Sequence, residues 1–245
     1  MGSIWSRDPY AEEGFFKPDD VTNYYGDKFY QTGPNYWSKQ ESTNSGMLAG
    51  FTYTHKVDVD FSKVILKKYM KEHNMGKKRV ADLGAGIGRV SKNVLAKFFE
   101  EIDLVEPVPS FLEVAKKEIA DLYPNVKINT FSCGAQDWTI TDKYDCFWVQ
   151  WTLMYLTDSD CVRLLKASKN HLNKYGKIIV KENGYPDDEI EDKSFAMWNP
   201  EDHSFARTKK SYIDLFNKAG LKIVEDCQQP DWDTELLPVY LFVLR

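Results

Sequence analysis

The chain has 245 residues, 42% hydrophobic and 28% charged, with a net charge of -5 and a pI near 5.5. That size and balance specify one globular domain with a substantial core and a small appendage, and the acidic charge excludes nucleic acid as the main partner, because phosphate binding relies on clustered Lys and Arg. No apolar run reaches the roughly 20 residues of a membrane span, so no stable membrane association is expected, and with no apolar leader the protein is expected in the cytoplasm, the nucleus or both.

The opening Met1-Gly2-Ser3-Ile4-Trp5-Ser6 matches the short myristoylation pattern at Gly2, although one acyl chain gives only marginal membrane binding. Up to Asn35 the chain is rich in Tyr, Phe, Asp, Gly and Pro without a sustained period. It reads as an irregular arm held by its aromatic side chains. Tyr36-Trp37 and the glycine-bracketed Gly46-Met47-Leu48-Ala49-Gly50-Phe51 follow, a segment that either lids a pocket or caps the core. Residues 1–57 are therefore assigned to an arm and lid, and 58–245 to the main domain. From Asp58 to His73, Phe61, Ile65, Leu66 and Tyr69 fall at helical spacing, a helix expected to cover the edge of a sheet.

Val80 to Leu83 is a short buried-type strand that breaks into Gly84, Gly86 and Gly88, and Val90, Val94, Leu95 and Phe98 then repeat at helical intervals. A second strand, Ile102 to Val105, ends at Glu106. A helix over Phe111 to Leu122, a strand over Val126 to Phe131 and a strand from Tyr144 to Val149 running into Gln150-Trp151 continue the alternation. Thr157 can cap a helix carrying Val162, Leu164, Leu165 and Leu172. Gly176 opens the strand Lys177 to Lys181, which ends at Glu182-Asn183. Between Gly184 and His203 an acidic loop is expected, then a helix from about Thr208 to Ala219 and strands over Leu221 to Asp226 and Val239 to Leu244. Alternating β and α elements give an α/β fold with a doubly wound parallel sheet, whose ligands gather at the C-terminal ends of the strands. The four cysteines, Cys133, Cys146, Cys161 and Cys227, show no metal-ligand or disulfide spacing.

The glycine turn carries the chemistry. Glycines admit positive φ and close approach of a ligand, and the unpaired N–H groups of the following helix favour a carboxylate or phosphate, although a tight turn needs glycine with no ligand as well. Glu106 arrives 18 positions beyond Gly88, about where a carboxylate at the end of the second strand holds a ribose's hydroxyls. A dinucleotide fingerprint would place a third glycine where Arg89 stands. The form Asp-x-Gly-x-Gly-x-Gly with Glu106 resembles the S-adenosylmethionine site of class I methyltransferases, and Arg89 is then either a clamp for the cofactor's carboxylate or a surface residue of its helix.

Tyr36-Trp37, Gly46-Met47-Leu48, Gly84 to Arg89, Cys133 to Trp138, Trp148 to Trp151, Leu156-Thr157-Asp158, Lys181-Glu182-Asn183 and Val239-Tyr240 together resemble the α-N-terminal protein methyltransferase family over roughly residues 36 to 245. The resemblance implies a mostly parallel seven-stranded sheet with a final antiparallel strand and an N-terminal extension. It implies methyl transfer from S-adenosyl-L-methionine, leaving S-adenosyl-L-homocysteine, to the α-amino group of proteins beginning Xaa-Pro-Lys or Xaa-Pro-Arg, with no metal. It places Gly84, Gly86, Arg89, Glu106, Ala135, Gln136 and Gln150 on the cofactor. Trp37, Leu48, Trp151, Ser204 and Tyr240 fall on the substrate's first residues, and Asn183, Tyr155 and Asp202 at the amine, with Asp202 as the proton acceptor. Asp202 also suits a helix cap, since a helix is expected several residues later.

Two positions depart from that family. Tyr155 stands where relatives carry a histidine, and a phenol of pKa near 10 orients an amine but is no base at neutral pH. Asn199-Pro200 replaces the acidic pair that reads a basic third residue, leaving Glu201 or the run Asp187 to Asp192 as substitutes. A small-molecule N- or O-methyltransferase, or a weak cofactor-binding relative, are the alternatives these departures keep open.

Overall fold

The computed structural model describes residues 8–192 and 194–245; the myristoylation pattern at Gly2 lies outside them. The arm is more ordered than its sequence period suggests. It folds as a strand β1 (Gly14–Phe16), helices α1 (Pro18–Tyr25) and α2 (Phe29–Trp37), and a single turn α3 (Asn44–Met47). Pro18 at the first helical position and Asp19 and Asp20 in the first turn start α1, as an N-terminal proline and an acidic first turn favour. Helices of eight or nine residues are too short to show a clear apolar period and too short to stand alone in water. Packing holds them instead: Val21 and Phe29 are buried against Ala196, Trp198 and Phe205.

Helix α4 (Thr54–Glu72) leads into β2 (Arg79–Leu83), the glycine turn and α5 (Arg89–Asn93). The expected helix through Phe98 is broken, because Val94 leaves the helical region at φ -125° and the chain tightens into a 3-10 turn, Leu95–Lys97. The break sends Leu95, Ala96 and Phe99 inward. There follow β3 (Glu101–Val105), α6 (Pro109–Leu122), β4 (Lys127–Phe131), β5 (Tyr144–Gln150), α7 (Asp158–Asn170) and β6 (Leu172–Asn183). Thr157 caps α7 by accepting from the Asp160 N–H, while Leu172 belongs to β6 and not to the helix. The expected acidic loop contains a short strand, β7 (Ala196–Asn199), and a second, β8 (Ser204–Ala206), follows directly after it. Helix α8 (Lys209–Lys218), β9 (Ile223–Gln228) and β10 (Val239–Leu244) complete the chain.

Seven strands form one sheet in the order β4-β3-β2-β5-β6-β10-β9, parallel except for β10, which runs antiparallel between β6 and β9. Every residue of β5 is buried, as a strand covered on both faces requires. On one face α4, α5 and α6 pack through Val59, Ile65, Leu66, Val90, Leu112 and Ala115 onto Ile102, Cys146, Trp148 and Ile179. On the other, α7 and α8 pack through Leu164, Leu165, Leu215 and Phe216 onto Phe147, Val149, Val180 and Phe242. Helix α4 thus covers a face of the sheet and not its edge, because its apolar stripe reaches Trp148 and Leu241 at the centre. The strand order reverses at β2, flanked by β3 and β5. This switch point is where an open α/β sheet leaves a crevice beyond its strand ends. A second sheet, β1-β7-β8, is antiparallel and joins the arm to the β7–β8 hairpin. Among the described residues no helix is long and apolar enough to cross a membrane.

Candidate active site

A cavity of about 390 Å³ opens at the switch point. Its floor is the turn after β2. Gly84, Gly86 and Gly88 have φ of 70°, 54° and 72°, the left-handed region that side chains disfavour. A Cβ on Gly84 would stand 2.3 Å from Thr152 Oγ1, and the Thr152 hydroxyl itself donates to the Leu83 carbonyl at 2.7 Å. The turn is therefore closed from behind and open toward the cavity.

Glu106 ends the neighbouring strand, as its spacing predicts. Its two carboxylate oxygens accept the Gly86 and Val108 N–H groups, each at 2.9 Å. Burial pushes its pKa up to about 7 against the pull of those two bonds. Asp82, one residue before Leu83 on β2, is likewise raised by burial, to about 6, and accepts from the Ser91 hydroxyl at 2.6 Å. Ala135 and Gln136 form a side wall with Val108 and Phe111.

Arg89, the first residue of α5, is buried, not a surface residue. Its guanidinium bonds Asp58 Oδ2 through Nη1 at 2.7 Å and lies 5.0 Å above the Trp151 ring. Gln150, at the end of β5, donates to Asp58 Oδ1 at 2.9 Å. Lys181 on β6 completes this cluster by ion pairing with Asp58. Burial pushes Asp58 up, but the two cations outweigh it and hold its carboxyl well below the usual range. Sequence reading missed Asp58 and Lys181. The signals were an acid in line with the apolar stripe Phe61, Ile65, Leu66 of α4, and a lysine directly after the apolar run Ile178-Ile179-Val180 of β6.

The far end of the cavity is aromatic. Trp151 follows β5 with a φ of 54°, costly for a bulky residue, and its indole N–H donates to Asn183 Oδ1 at 3.1 Å. Tyr155 sits in the 3-10 turn Leu153–Tyr155, with Trp37 edge-on at 6.3 Å. Arg207, fully buried, holds that turn against β8 by donating to the Leu153 and Leu156 carbonyls at 2.8 and 2.6 Å. As a result the Tyr155 hydroxyl reaches Asp202 Oδ2 at 3.2 Å. Asp202 Oδ1 accepts from the Ser204 hydroxyl at 2.7 Å. Burial raises the Asp202 pKa and drives that of Tyr155 far higher, so the phenol stays a donor. Asp202 does not cap α8; Thr208 does, accepting from the Ser211 N–H.

The structure thus brings Gly84, Gly86, Arg89, Glu106, Ala135, Gln136, Gln150, Trp37, Trp151 and Tyr155 to the lining of one cavity. Asn183 and Asp202 stand behind it, bonded to Trp151 and Tyr155 respectively, and Ser204 bonds Asp202. Leu48 and Tyr240 do not line it: Leu48 is buried beside Met47, which does, and Tyr240 pairs with Glu182 in the sheet and lies under Lys209. Arm residues the sequence left unassigned, Tyr30, Gly33 and Pro34, form the roof, together with His203 at a φ of 59°.

Comparison with known proteins gives this arrangement relatives. The sequence profile described as AdoMet-dependent proline di-methyltransferase matches residues 25–245. The chain is 36% identical to alpha N-terminal protein methyltransferase 1 of Dictyostelium discoideum over 224 residues, 89% of this chain and 80% of that protein. It is 32% identical to the human N-terminal Xaa-Pro-Lys N-methyltransferase 1, covering 89% of this chain and 96% of that one. A solved SAM-dependent methyltransferase of Leishmania major superposes with a TM-score of 0.82 at 32% identity, covering 93% and 91% of the two chains.

Proposed function

Since this chain belongs to the AdoMet-dependent proline di-methyltransferase family, we propose that it transfers methyl groups from S-adenosylmethionine to the α-amino group of protein N-termini of the Xaa-Pro-Lys/Arg type. One observation carries the reading: a glycine turn backed by Glu106 and an aromatic chamber backed by Asp202 share a single cavity. The residues suit the cofactor. The open side of Gly86, where a Cβ would meet only Met47 Sδ at 3.2 Å, leaves room for a ligand against the backbone, Glu106 offers carboxylate oxygens to ribose hydroxyls, and Arg89 offers a guanidinium to a carboxylate. Bound there, the cofactor supplies an electrophilic methyl on a sulfonium.

The chain's own residues then have limited tasks, to align an amine lone pair with the S–CH₃ bond and to take its proton. Trp37 and Trp151 offer ring faces and edges to a proline. Asn183 orients Trp151 and the amine's side of the chamber. Asp202 receives the proton, directly or through water, and Tyr155 holds Asp202 by donating to Oδ2. An α-amino group with pKa near 7.7–8 is already partly neutral at pH 7, so a carboxylate suffices as acceptor. With Asn199 and Pro200 in place of an acidic pair, Glu201 and the acidic run before it are the groups left to attract a basic third residue.

Mass spectrometry on peptides varied at positions one to three tests the reading. Methylation of Ser-Pro-Lys peptides, lost when Pro is replaced, is the expected result. Transfer only to small amines or phenols would overturn it, and so would cofactor binding without transfer to any peptide.

A further inference from the structure

Arg89 faces two claims. Asp58 is a buried carboxylate within bonding distance of it, and a carboxylate free to grip a guanidinium takes it side-on through two N–H groups, the strongest geometry available to the pair. In this structure the grip is single. Among the described residues, Nη1 is the guanidinium nitrogen that meets side chains, Asp58 Oδ2 at 2.7 Å and His55 Nδ1 at 3.4 Å. Asp58 Oδ1 is turned away and shared by Lys181 and Gln150 Nε2.

Lys181 has every feature of a group placed for that purpose. It is fully buried, its ammonium also donates to the Asp58 carbonyl and the Ser62 hydroxyl, each at 3.2 Å, and it lies 5.6 Å from the Phe61 ring. It does not line the cavity. A buried charge is costly unless paired, and Asp58 could be satisfied by Arg89 and Gln150 alone, so stability by itself gives no reason for a second cation. Asp82, the other buried carboxylate near Arg89, is occupied by the Ser91 hydroxyl.

We propose that Lys181 is a positioning residue for the cofactor's amino-acid end: by holding one oxygen of Asp58 it limits Asp58 to a single bond with Arg89 and leaves the remaining guanidinium edge to the ligand's carboxylate. The proposal rests on the reading of Arg89 given above. Without Lys181, Asp58 turns both oxygens to Arg89 and competes with the ligand.

Calorimetry with two ligands tests this without turnover. S-adenosylhomocysteine carries the carboxylate; S-adenosyl-3-thiopropylamine lacks only that group. The wild-type protein binds the first at least about tenfold more tightly, the worth of one charge-assisted contact. Lys181→Met cuts that ratio by about tenfold while changing affinity for the decarboxylated ligand less than threefold. Lys181→Met/Asp58→Asn, in which no carboxylate of the protein competes for Arg89, restores the ratio. Equal weakening of both ligands in Lys181→Met assigns Lys181 a purely structural role and overturns the proposal. A low ratio in the double variant overturns it too, and is read alone if the single variant does not fold. A wild-type ratio near one would remove Arg89 from the ligand's carboxylate, and that failure belongs to the earlier reading as well.

Discussion

Glu106→Gln separates what the site costs the fold from what it gives the ligand. Raising the carboxyl from 4.5 to about 7 by burial corresponds to about 3 kcal/mol of penalty on the ionised form. The folded state therefore holds a proton that the unfolded state has released between those two values. Stability falls as pH rises through that window, and above pH 7 the full penalty is present. An amide carries no charge to desolvate. It loses one acceptor, since the Gly86 and Val108 N–H groups each take a carboxylate oxygen and one of them would face the amide NH₂, costing about 1–2 kcal/mol. At pH 8 the balance favours the variant by about 1–2 kcal/mol, a rise in melting temperature of about 2–8 °C for a chain of this size. At pH 4.5 the penalty it relieves is absent and the variant is the less stable protein. Thermal denaturation from pH 4.5 to 8.5 reads the crossing. Calorimetry at pH 8 should show S-adenosylhomocysteine bound about 10–100-fold more weakly, the loss of charged acceptors for ribose hydroxyls. A variant that melts lower than the wild type at pH 8, or binds the ligand as tightly, refutes the reasoning.

Asp202→Asn should lower kcat about 10²–10³-fold, as loss of a proton acceptor does, with cofactor affinity within twofold; retention of a third of the activity would remove Asp202 from proton transfer. Gly33 lies with its Cβ position 3.7 Å from Tyr155 Cδ1 and 3.9 Å from the Asp202 carbonyl, so Gly33→Leu should fill the roof and raise the peptide KM at least about tenfold, leaving S-adenosylhomocysteine binding intact; an unchanged KM would place the peptide elsewhere. In Gly88→Ala the new methyl stands 2.8 Å from Ala115 Cβ at a φ of 72°, and denaturant unfolding should show a loss of about 1–3 kcal/mol, whereas a neutral result would mean that α6 yields freely.

The sheet and the glycine-turn side of the cavity were legible because their signals are local. A glycine turn, a strand-end acid and alternating β and α periods occupy contiguous residues, so Gly84, Gly86, Arg89 and Glu106 could be named from spacing and resemblance. Asp58 and Lys181 escaped because their significance exists only once α4 crosses β6, 123 residues apart in the chain. The arm escaped for a related reason. Its helices are stabilised by Trp198, which lies in a segment that reads as an acidic loop, and by Phe205 just after it, so neither half announces structure without the other. Leu48 and Tyr240 illustrate the reverse. A resemblance carried them to the substrate's side, while Met47 is the residue of α3 that reaches the cavity.

The pairing of β1 with β7 joins the arm to the hairpin that carries Asp202 at its tip. Main-chain bonds between strands do not read side chains, so the exposed Phe15 can be replaced without moving the carboxylate, provided the strand stays extended, whereas Phe16 packs on the cluster around Trp198. Trimming the arm would expose a strand edge on the hairpin that carries Asp202, a place where another chain's backbone could dock.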